Sequence, residues 1–195
     1  NEITNNSGKK SSLVRSAMST VNSNLSPAID VEKATSYVIN NLVNNVSTGE
    51  TSTSGGDAAA RYITRRVTLT ENQTAEDLNV FLTAYKPDKT DIKVYYKILN
   101  SLDSDDFDDK SYVEMTQSTN TGVNSVEKKL DDFIEYKYVI ASANKTGTGG
   151  EVTYTNAAGS TFTGFNTFAL KIVMLSSTDV VVPQIRDMRA IALQI

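Results

Sequence analysis

Residues 91–99 read Asp-Ile-Lys-Val-Tyr-Tyr-Lys-Ile-Leu, and this stretch decides the fold class. Its side chains alternate between two faces, the apolar face carrying Ile92, Val94, Tyr96 and Ile98 and the opposite face carrying Asp91, Lys93, Tyr95 and Lys97. An apolar residue at every second position predicts a β-strand with one buried face.

The same period of two recurs along the rest of the chain. Residues 78–85 place Leu78, Val80, Leu82 and Ala84 together, and residues 167–175 do the same with Phe168, Leu170, Ile172 and Met174. Weaker runs occupy residues 62–69, 112–115, 136–141, 151–154 and 190–195. The last run puts Ile191, Leu193 and Ile195 on one side and the small Ala190 and Ala192 on the other.

Turn signals separate these runs, at residues 86–88, 120–122, 146–150 and 158–160. Seven or eight short strands with this punctuation predict an all-β protein, an antiparallel β-sandwich of jelly-roll-like type. Residues 126–134 alone have helical spacing, through Val126, Leu130, Phe133 and Ile134. We therefore expect one short helix beside the strands.

The first sixty residues have a weaker pattern. Residues 1–12 are polar and basic, which favours an N-terminal arm, and residues 13–46 predict strands on both sides of Ser26-Pro27. Residues 44–57 are rich in Ser, Thr and Gly and predict a flexible surface loop or linker. The expected division is an arm with strands and loop at 1–57 and a β-sandwich at 58–195.

Composition excludes several classes of function. Histidine and cysteine are both absent, which removes Ser-His-Asp and Cys-His catalysis and sites built on His or thiolate ligands. A net charge of −4 argues against binding nucleic acid, which requires a basic surface. No apolar run reaches the roughly 18–20 residues of a membrane span. We predict that the chain is not an enzyme, needs no cofactor and does not insert into membranes.

An acidic cluster at residues 103–109 gathers possible oxygen ligands for Ca²⁺, namely Asp103, Asp105, Asp106, Asp108 and Asp109. The spacing does not follow the EF-hand pattern, which has Gly at the sixth loop position and Glu at the twelfth. The favoured interpretation is a solvated loop that Phe107 anchors to the core, with the carboxylates capping a short helical turn. A calcium site is the alternative.

Two other enzymatic interpretations are disfavoured. Glu114 and Glu135 have apolar neighbours in the sequence, as a glycosidase carboxylate would, but nothing in the sequence brings two acids together. The Gly-rich residues 146–150 lack the Lys-Ser/Thr continuation of a phosphate-binding loop. They predict a flexible hairpin connection.

Five residues are candidates for contacts with partner proteins. Tyr85, Tyr95 and Tyr154 lie on the faces opposite the main apolar sets of their strands, where they fit a second buried face or an oligomer contact. Arg186 and Arg189 flank Asp187 just before the last strand. A local ion pair with Asp187 that positions this strand is favoured, and contact with a partner is the alternative.

Four segments carry a resemblance to a known family: residues 26–30 (SPAID), 60–64 (ARYIT), 90–97 (TDIKVYYK) and the long C-terminal stretch 164–193. They resemble structural proteins from the tails of contractile phages, most closely the baseplate proteins of T4-like marine and cyanobacterial phages. Together they extend over most of the chain from about residue 25 onward.

The resemblance implies a virion component without catalytic activity, assembled in the host cytoplasm into the tail baseplate. Its expected partners are other tail or baseplate wedge proteins and copies of itself. Because proteins of that family are often much longer, the resemblance also implies that this chain is a C-terminal portion. A carbohydrate-binding or adhesin module on the same sandwich, dependent on calcium through residues 103–109, is the alternative from another class.

Overall fold

The computed structural model describes residues 17–22, 24–25, 27–28, 43–126, 132–146, 150–178 and 180–195. These residues form eleven β-strands and one 3₁₀ turn at Ser142–Asn144. The strands are β1 (Ala60–Ile63), β2 (Val67–Thr68), β3 (Asp77–Tyr85), β4 (Thr90–Leu99), β5 (Val113–Glu114), β6 (Thr116–Gln117), β7 (Ile134–Val139), β8 (Thr153–Thr155), β9 (Thr161–Thr163), β10 (Thr167–Ser176) and β11 (Gln184–Leu193). The predicted all-β class is confirmed.

The strands form two antiparallel sheets that face each other, as predicted for a sandwich. The front sheet has the order β1-β10-β4-β5, with β2 also paired to β10, and the back sheet has the order β11-β3-β7-β6. Strands β8 and β9 form a separate hairpin. Because β10 lies between β1 and β4, the centre of the front sheet joins distant parts of the chain.

The core between the sheets contains the side chains that the alternation predicts. The buried apolar residues of the three longest runs are Leu78, Val80, Leu82 and Ala84 from β3, Ile92, Val94, Tyr96 and Ile98 from β4, and Phe168, Leu170 and Ile172 from β10. Tyr136 and Tyr138 of β7 complete the centre. A buried side chain of this size contributes about 1.5–3 kcal/mol, so these strands account for much of the stability.

The outer face of the front sheet is also covered, as one of the two alternatives for Tyr95 predicts. A second buried cluster there contains Ala58, Tyr95, Tyr112, Val173 and Leu175. Residues 48–57 lie over this face, and the carbonyl of Thr51 accepts a hydrogen bond of 2.9 Å from the amide of Tyr112. Residues 44–57 form a loop without strands, as predicted, and hydrogen bonds fasten residues 48–57 to the rest of the protein.

Parts of the N-terminal region and of the predicted helix lie outside the described residues. The predicted arm at residues 1–12 and most of the strands predicted within residues 13–46 lie outside the described residues, and the described pieces between residues 17 and 28 contain no strand. Of the helix predicted at residues 126–134, residues 127–131 lie outside the described part. Its last residue, Ile134, begins strand β7, so the helix is wrong at that end.

Among the described residues, no helix is long and apolar enough to cross a lipid bilayer.

The final strand differs from its prediction in length and in orientation. β11 begins at Gln184, six positions before the predicted run at residue 190, and its ladder with β3 shifts register between Ile185 and Asp187. Ala192 packs against the core, whereas Ile191 is 36% exposed. Ala192 therefore faces inward and the larger Ile191 faces solvent.

Candidate functional site

The acidic loop after β4 contains a buried aspartate with four hydrogen-bond donors. The carboxylate of Asp103 accepts bonds from the ammonium of Lys110 at 2.5 Å and the hydroxyl of Tyr154 at 2.8 Å. The side-chain amide of Asn156 and the backbone amide of Asp105 each donate at 3.1 Å. Donors, not a metal, therefore surround this carboxylate.

The neighbouring Asp105 shares the same lysine. Its carboxylate accepts hydrogen bonds from Lys110 at 2.7 Å and from the backbone amide of Ala157 at 2.9 Å. Lys110 thus lies between two carboxylates and offsets one of their two negative charges. In the part of the chain that the structure describes, no group of three acidic side chains is arranged to hold a metal ion.

Among the described residues, Asp103, Asp105, Asp106, Asp108 and Asp109 do not form a group arranged to hold a calcium ion. Asp106 instead accepts a hydrogen bond of 3.0 Å from the backbone amide of Asp108, within the loop. Because Tyr154, Asn156 and Ala157 belong to the β8–β9 hairpin or its turn, the bonds to Asp103 and Asp105 fasten the loop to this hairpin. The role that the structure shows for these two aspartates is structural.

The pKa shifts of Asp103 and Asp105 agree with a structural role for these two carboxylates. Burial raises the pKa of Asp103, but hydrogen bonds from Lys110, Asn156 and Asp105 outweigh it and hold the pKa well below its ordinary value. The backbone bond from Ala157 and the bond from Lys110 likewise lower the pKa of Asp105. Both carboxylates are therefore ionised at neutral pH and share the single positive charge of Lys110.

Phe107 anchors the acidic loop, as predicted, although it packs outside the core between the sheets. The ring is buried, with the Lys97 ammonium 4.8 Å and the Arg66 guanidinium 5.6 Å from its centroid. The same ammonium lies 5.1 Å from the ring of Tyr112. Burial lowers the pKa of Lys97, although Asp106, Asp108 and Asp109 partly oppose this. The loop therefore closes over a lysine held between two rings.

A second buried charge lies on the same face of the front sheet. The ammonium of Lys171, from β10, contacts the carboxylate of Glu50 at 2.8 Å and the carbonyl oxygens of Glu50 and Gly55 at 2.5 and 3.2 Å. The rings of Tyr95 and Tyr112 lie 4.8 and 4.7 Å away. We call this the Lys171–Glu50 lock, because it fixes residues 48–57 onto the sheet.

The three tyrosines predicted as partner contacts occupy different environments. Tyr95 is buried beneath the Lys171–Glu50 lock, and Tyr85 is 6% exposed with its ring 6.1 Å from that of Phe133. The chain itself covers both side chains, and Tyr95 lies in the second buried cluster, as the buried-face alternative predicts. The half-buried Tyr154 stacks on Phe162 at 5.7 Å and bonds to Asp103, which gives it an internal role.

The two arginines lie on the outer face of the back sheet and are exposed. The guanidinium of Arg186 is 4.0 Å from the ring centroid of Phe133. That of Arg189 is 4.7 Å from the Phe81 centroid and 3.3 Å from the carboxylate of Glu135. No ion pair among the described residues involves Asp187, so the predicted local pair is wrong, and both arginines remain accessible to a partner.

The structure separates the two glutamates of the glycosidase hypothesis. Glu114 lies on the front sheet and pairs with Lys93 at 3.3 Å, whereas Glu135 lies on the back sheet and pairs with Arg189. They therefore do not converge on one substrate. The ends of the Gly-rich segment, of which residues 147–149 are not described, meet in an antiparallel bridge between Lys145 and Val152, which is the geometry of a hairpin connection.

A cleft of about 450 Å³, lined by both polar and apolar groups, opens beside the acidic loop. It lies between the front sheet and the β8–β9 hairpin, and we call it the hairpin cleft. Its polar lining comprises Lys97, Asp105, Asp109, Lys110, Ser111, Asn144, Thr153, Tyr154, Thr155 and Asn156. Such a lining can exchange hydrogen bonds with a small polar ligand.

Sequence reasoning missed Glu50, Lys110 and Lys171, which determine how the loops are held. Lys110 lies within one residue of the acidic cluster, and this adjacency could have suggested that it neutralises the aspartates. Glu50 and Lys171 are 121 residues apart, and no local pattern connects them.

Comparisons with family models, curated proteins and solved structures gave no match to this chain.

Proposed function

We propose that this chain is a structural component of a contractile phage tail and acts in the baseplate by protein–protein assembly. In this proposal it resides in the virion after assembly in the host cytoplasm, and it performs no catalysis. The proposal is supported by a resemblance to phage tail proteins, found in residues 26–30, 60–64, 90–97 and 164–193. The structural observation that supports an assembly role is the long free edge of β11.

That edge is unusual for its length. β11 has ten residues and ends the back sheet, and no described residue pairs with its outer side, which we call the open edge. The other terminal strands are short: β1 has four residues, and β5 and β6 have two each. Natural sheets protect long edges with Lys, Pro or bulges, because an exposed ladder recruits another strand. β11 contains neither Lys nor Pro, and its one irregularity lies near its start.

The buried polar groups support a structural role over a catalytic one. Lys171 and Asp103 direct their hydrogen bonds to groups inside the protein, and among the described residues no buried side-chain nitrogen or oxygen lacks a partner. An acid–base site would need a titratable group directed at a substrate. The open edge instead offers backbone donors and acceptors, through which an added strand gains affinity.

Fractionation of the phage that encodes this chain tests the proposal. Purified particles separated into heads and tails should contain the chain in the tail fraction by mass spectrometry, and cryo-electron microscopy should locate its sandwich at the tail end. A major capsid protein followed through the same fractions controls the separation. Absence of the chain from purified particles would contradict the proposed function.

The hairpin cleft favours a second candidate, a carbohydrate-binding module that does not depend on calcium. Its hydroxyl, amide and carboxylate groups suit the hydroxyl groups of a saccharide, and its volume of about 450 Å³ accommodates a small ligand. A glycan array should then show binding that Asp109→Ala weakens, whereas Asp88→Ala, an exposed change far from the cleft lining, should leave binding intact. Absence of binding to any glycan would exclude this candidate.

A further inference from the structure

The open edge of β11 carries two opposite charges in alternate positions of its outer face. Asp187 and Arg189 lie opposite Thr83 and Phe81 of β3, and both are exposed, whereas Met188 between them packs against the core. Among the described residues, Arg189 is engaged only by the ring of Phe81 and by Glu135, in a pair whose side chains are 56% and 55% exposed. Exposed pairs of this kind contribute little, so Arg189 is available to a partner strand.

We propose that two copies of this chain pair through their open edges, with β11 antiparallel to β11 about a two-fold axis and Met188 opposite its own copy. This inference rests on the proposed assembly function and names the partner of the open edge. Backbone hydrogen bonds across the axis would join the two back sheets into one continuous sheet.

The register follows from symmetry and charge. A two-fold axis perpendicular to the sheet leaves each side chain on its own face of the sheet. Residues directly opposite each other must share a face, and successive residues alternate between faces. The axis must therefore pass through a position at which one residue lies opposite its own copy. An axis at position 187 or 189 would set two like charges directly opposite each other, which is destabilising. An axis at Met188 sets Asp187 of each copy opposite Arg189 of the other and forms two reciprocal ion pairs.

The alternative axis at Ala190 avoids the register shift near Ile185 but gives neither charge an opposite partner. It places Arg189 opposite the apolar Ile191 and brings the two arginines onto a diagonal. The Met188 axis is therefore the one in which the charges of the open edge are complementary. The register shift limits this pairing to residues 186–190 of each copy.

Charge reversal on the full chain tests the pairing, with sedimentation velocity over a concentration series as the measurement. The wild-type chain should dimerise, and Asp187→Arg or Arg189→Asp should each weaken dimerisation at least about tenfold. Each single variant presents two charges of one sign on each edge. An equimolar mixture of the two should form a heterodimer, because the introduced arginine then faces the introduced aspartate and the two unchanged charges face each other. The double variant should dimerise again as a homodimer.

The control is Asp88→Arg, which makes the same change of charge at an exposed position outside β11 and should dimerise like the wild type. Circular dichroism and melting curves establish that each variant folds. A cysteine introduced at position 188 reports the register, since the natural chain has no cysteine and any disulfide must join two copies. Oxidation should cross-link Met188→Cys more rapidly than Ala190→Cys.

A wild-type chain that is monomeric throughout would overturn the pairing, as would a dimer that neither single charge reversal weakens. Failure of the mixture to form a heterodimer would overturn the register and with it the proposal. These outcomes are separate from the proposed function: a monomer found in phage tails refutes only the pairing, and a dimer absent from particles refutes only the tail assignment.

Discussion

The ammonium of Lys171 lies 2.8 Å from the carboxylate of Glu50, and both side chains are almost completely buried. An ion pair removed from water requires further hydrogen bonds to offset its desolvation. The carbonyl groups of Glu50 and Gly55 accept bonds from Lys171, and the backbone amide of Ala58 donates to Glu50. The Lys171–Glu50 lock therefore makes a loop without strands part of the folded body.

Removing one member of this pair should destabilise the protein strongly. Glu50→Gln leaves the buried Lys171 ammonium without its counter-charge, and we expect the free energy of unfolding to fall by about 3–5 kcal/mol. Lys171→Met should have a similar effect, and the double variant should lose less than the sum of the two. Urea unfolding followed by tyrosine fluorescence measures these differences.

The exposed pair between Lys93 and Glu114 provides the matched control on the same sheet face. Its atoms are 3.3 Å apart, but the side chains are 30% and 48% exposed. Lys93→Met should therefore cost no more than about 1 kcal/mol. Equal losses for Lys93→Met and Lys171→Met would show that burial of the lock does not matter.

Gly56 should be sensitive to the smallest substitution. Its φ of +134° is unfavourable for L side chains, and a Cβ atom built there would overlap the carboxylate of Glu50. We expect Gly56→Ala to cost about 1–3 kcal/mol from strain and from displacement of Glu50. Gly159→Ala is the control, because Gly159 also has a positive φ, +85°, but has open space around it. A smaller loss at Gly56 than at Gly159 would contradict the close approach to Glu50.

Stability should depend on acid pH through Asp103. The folded state lowers the pKa of Asp103 below the unfolded value of about 3.9. Its contribution is therefore fully present above that unfolded pKa and is lost as pH falls toward the folded pKa. Asp103→Asn lacks this contribution at every pH, so the gap in unfolding free energy between wild type and variant should stay constant from about pH 7 to about pH 5 and narrow as the pH falls below about 4.

Thermal melts across that pH range measure the gap, with the exposed change Asp88→Asn as the control, for which we expect nearly parallel curves. At neutral pH Asp103→Asn should already cost about 1–3 kcal/mol, because it weakens the hydrogen bonds to Lys110 and Tyr154. A constant gap at all pH values would show that Asp103 has the same pKa in both states.

Calcium should not stabilise the protein. The Lys110 ammonium already occupies the space between the Asp103 and Asp105 carboxylates, so we expect the same melting temperature in a chelator and in millimolar calcium. A specific site filled to about 100 times its Kd would instead add about 2.7 kcal/mol. That would raise the melting temperature of a domain of this size by several degrees, about 2–4 °C per kcal/mol. Magnesium at the same concentration controls for ionic strength.

The sequence predicts those features of the structure that depend on neighbouring residues, and it does not predict those that depend on residues far apart in the chain. The alternation in β3, β4 and β10 gives their core faces correctly, because burial of one face is enough to impose a period of two. The opposite faces of β4 and β10 follow from loops far away in sequence. Tyr95, Lys97 and Lys171 are buried because residues 48–57 and the loop around Phe107 cover them, and no local pattern encodes that cover.

The candidate site also combines a part that the sequence reveals with a part that it does not. The acidic cluster is visible in the sequence, but its chemistry depends on Tyr154 and Asn156, which reach Asp103 from a hairpin about fifty residues later. Ile191 and Ala192 show that, in a strand at the edge of a sheet, apolarity alone does not predict which side chain faces the core. Apolarity alone assigns Ile191 to the core, whereas the ladder with β3 turns Ala192 inward and leaves Ile191 exposed.

The position of β10 between β1 and β4 has a consequence for synthesis on the ribosome. Glu50 leaves the ribosome 121 residues before Lys171, which at about 5–20 residues per second is roughly 6–24 s earlier. Until β10 follows, β1 lacks the only strand with which it pairs among the described residues, and the lock cannot close. The front sheet therefore forms only after β10 has been synthesised, and a nascent chain halted before β10 should stay open to proteases.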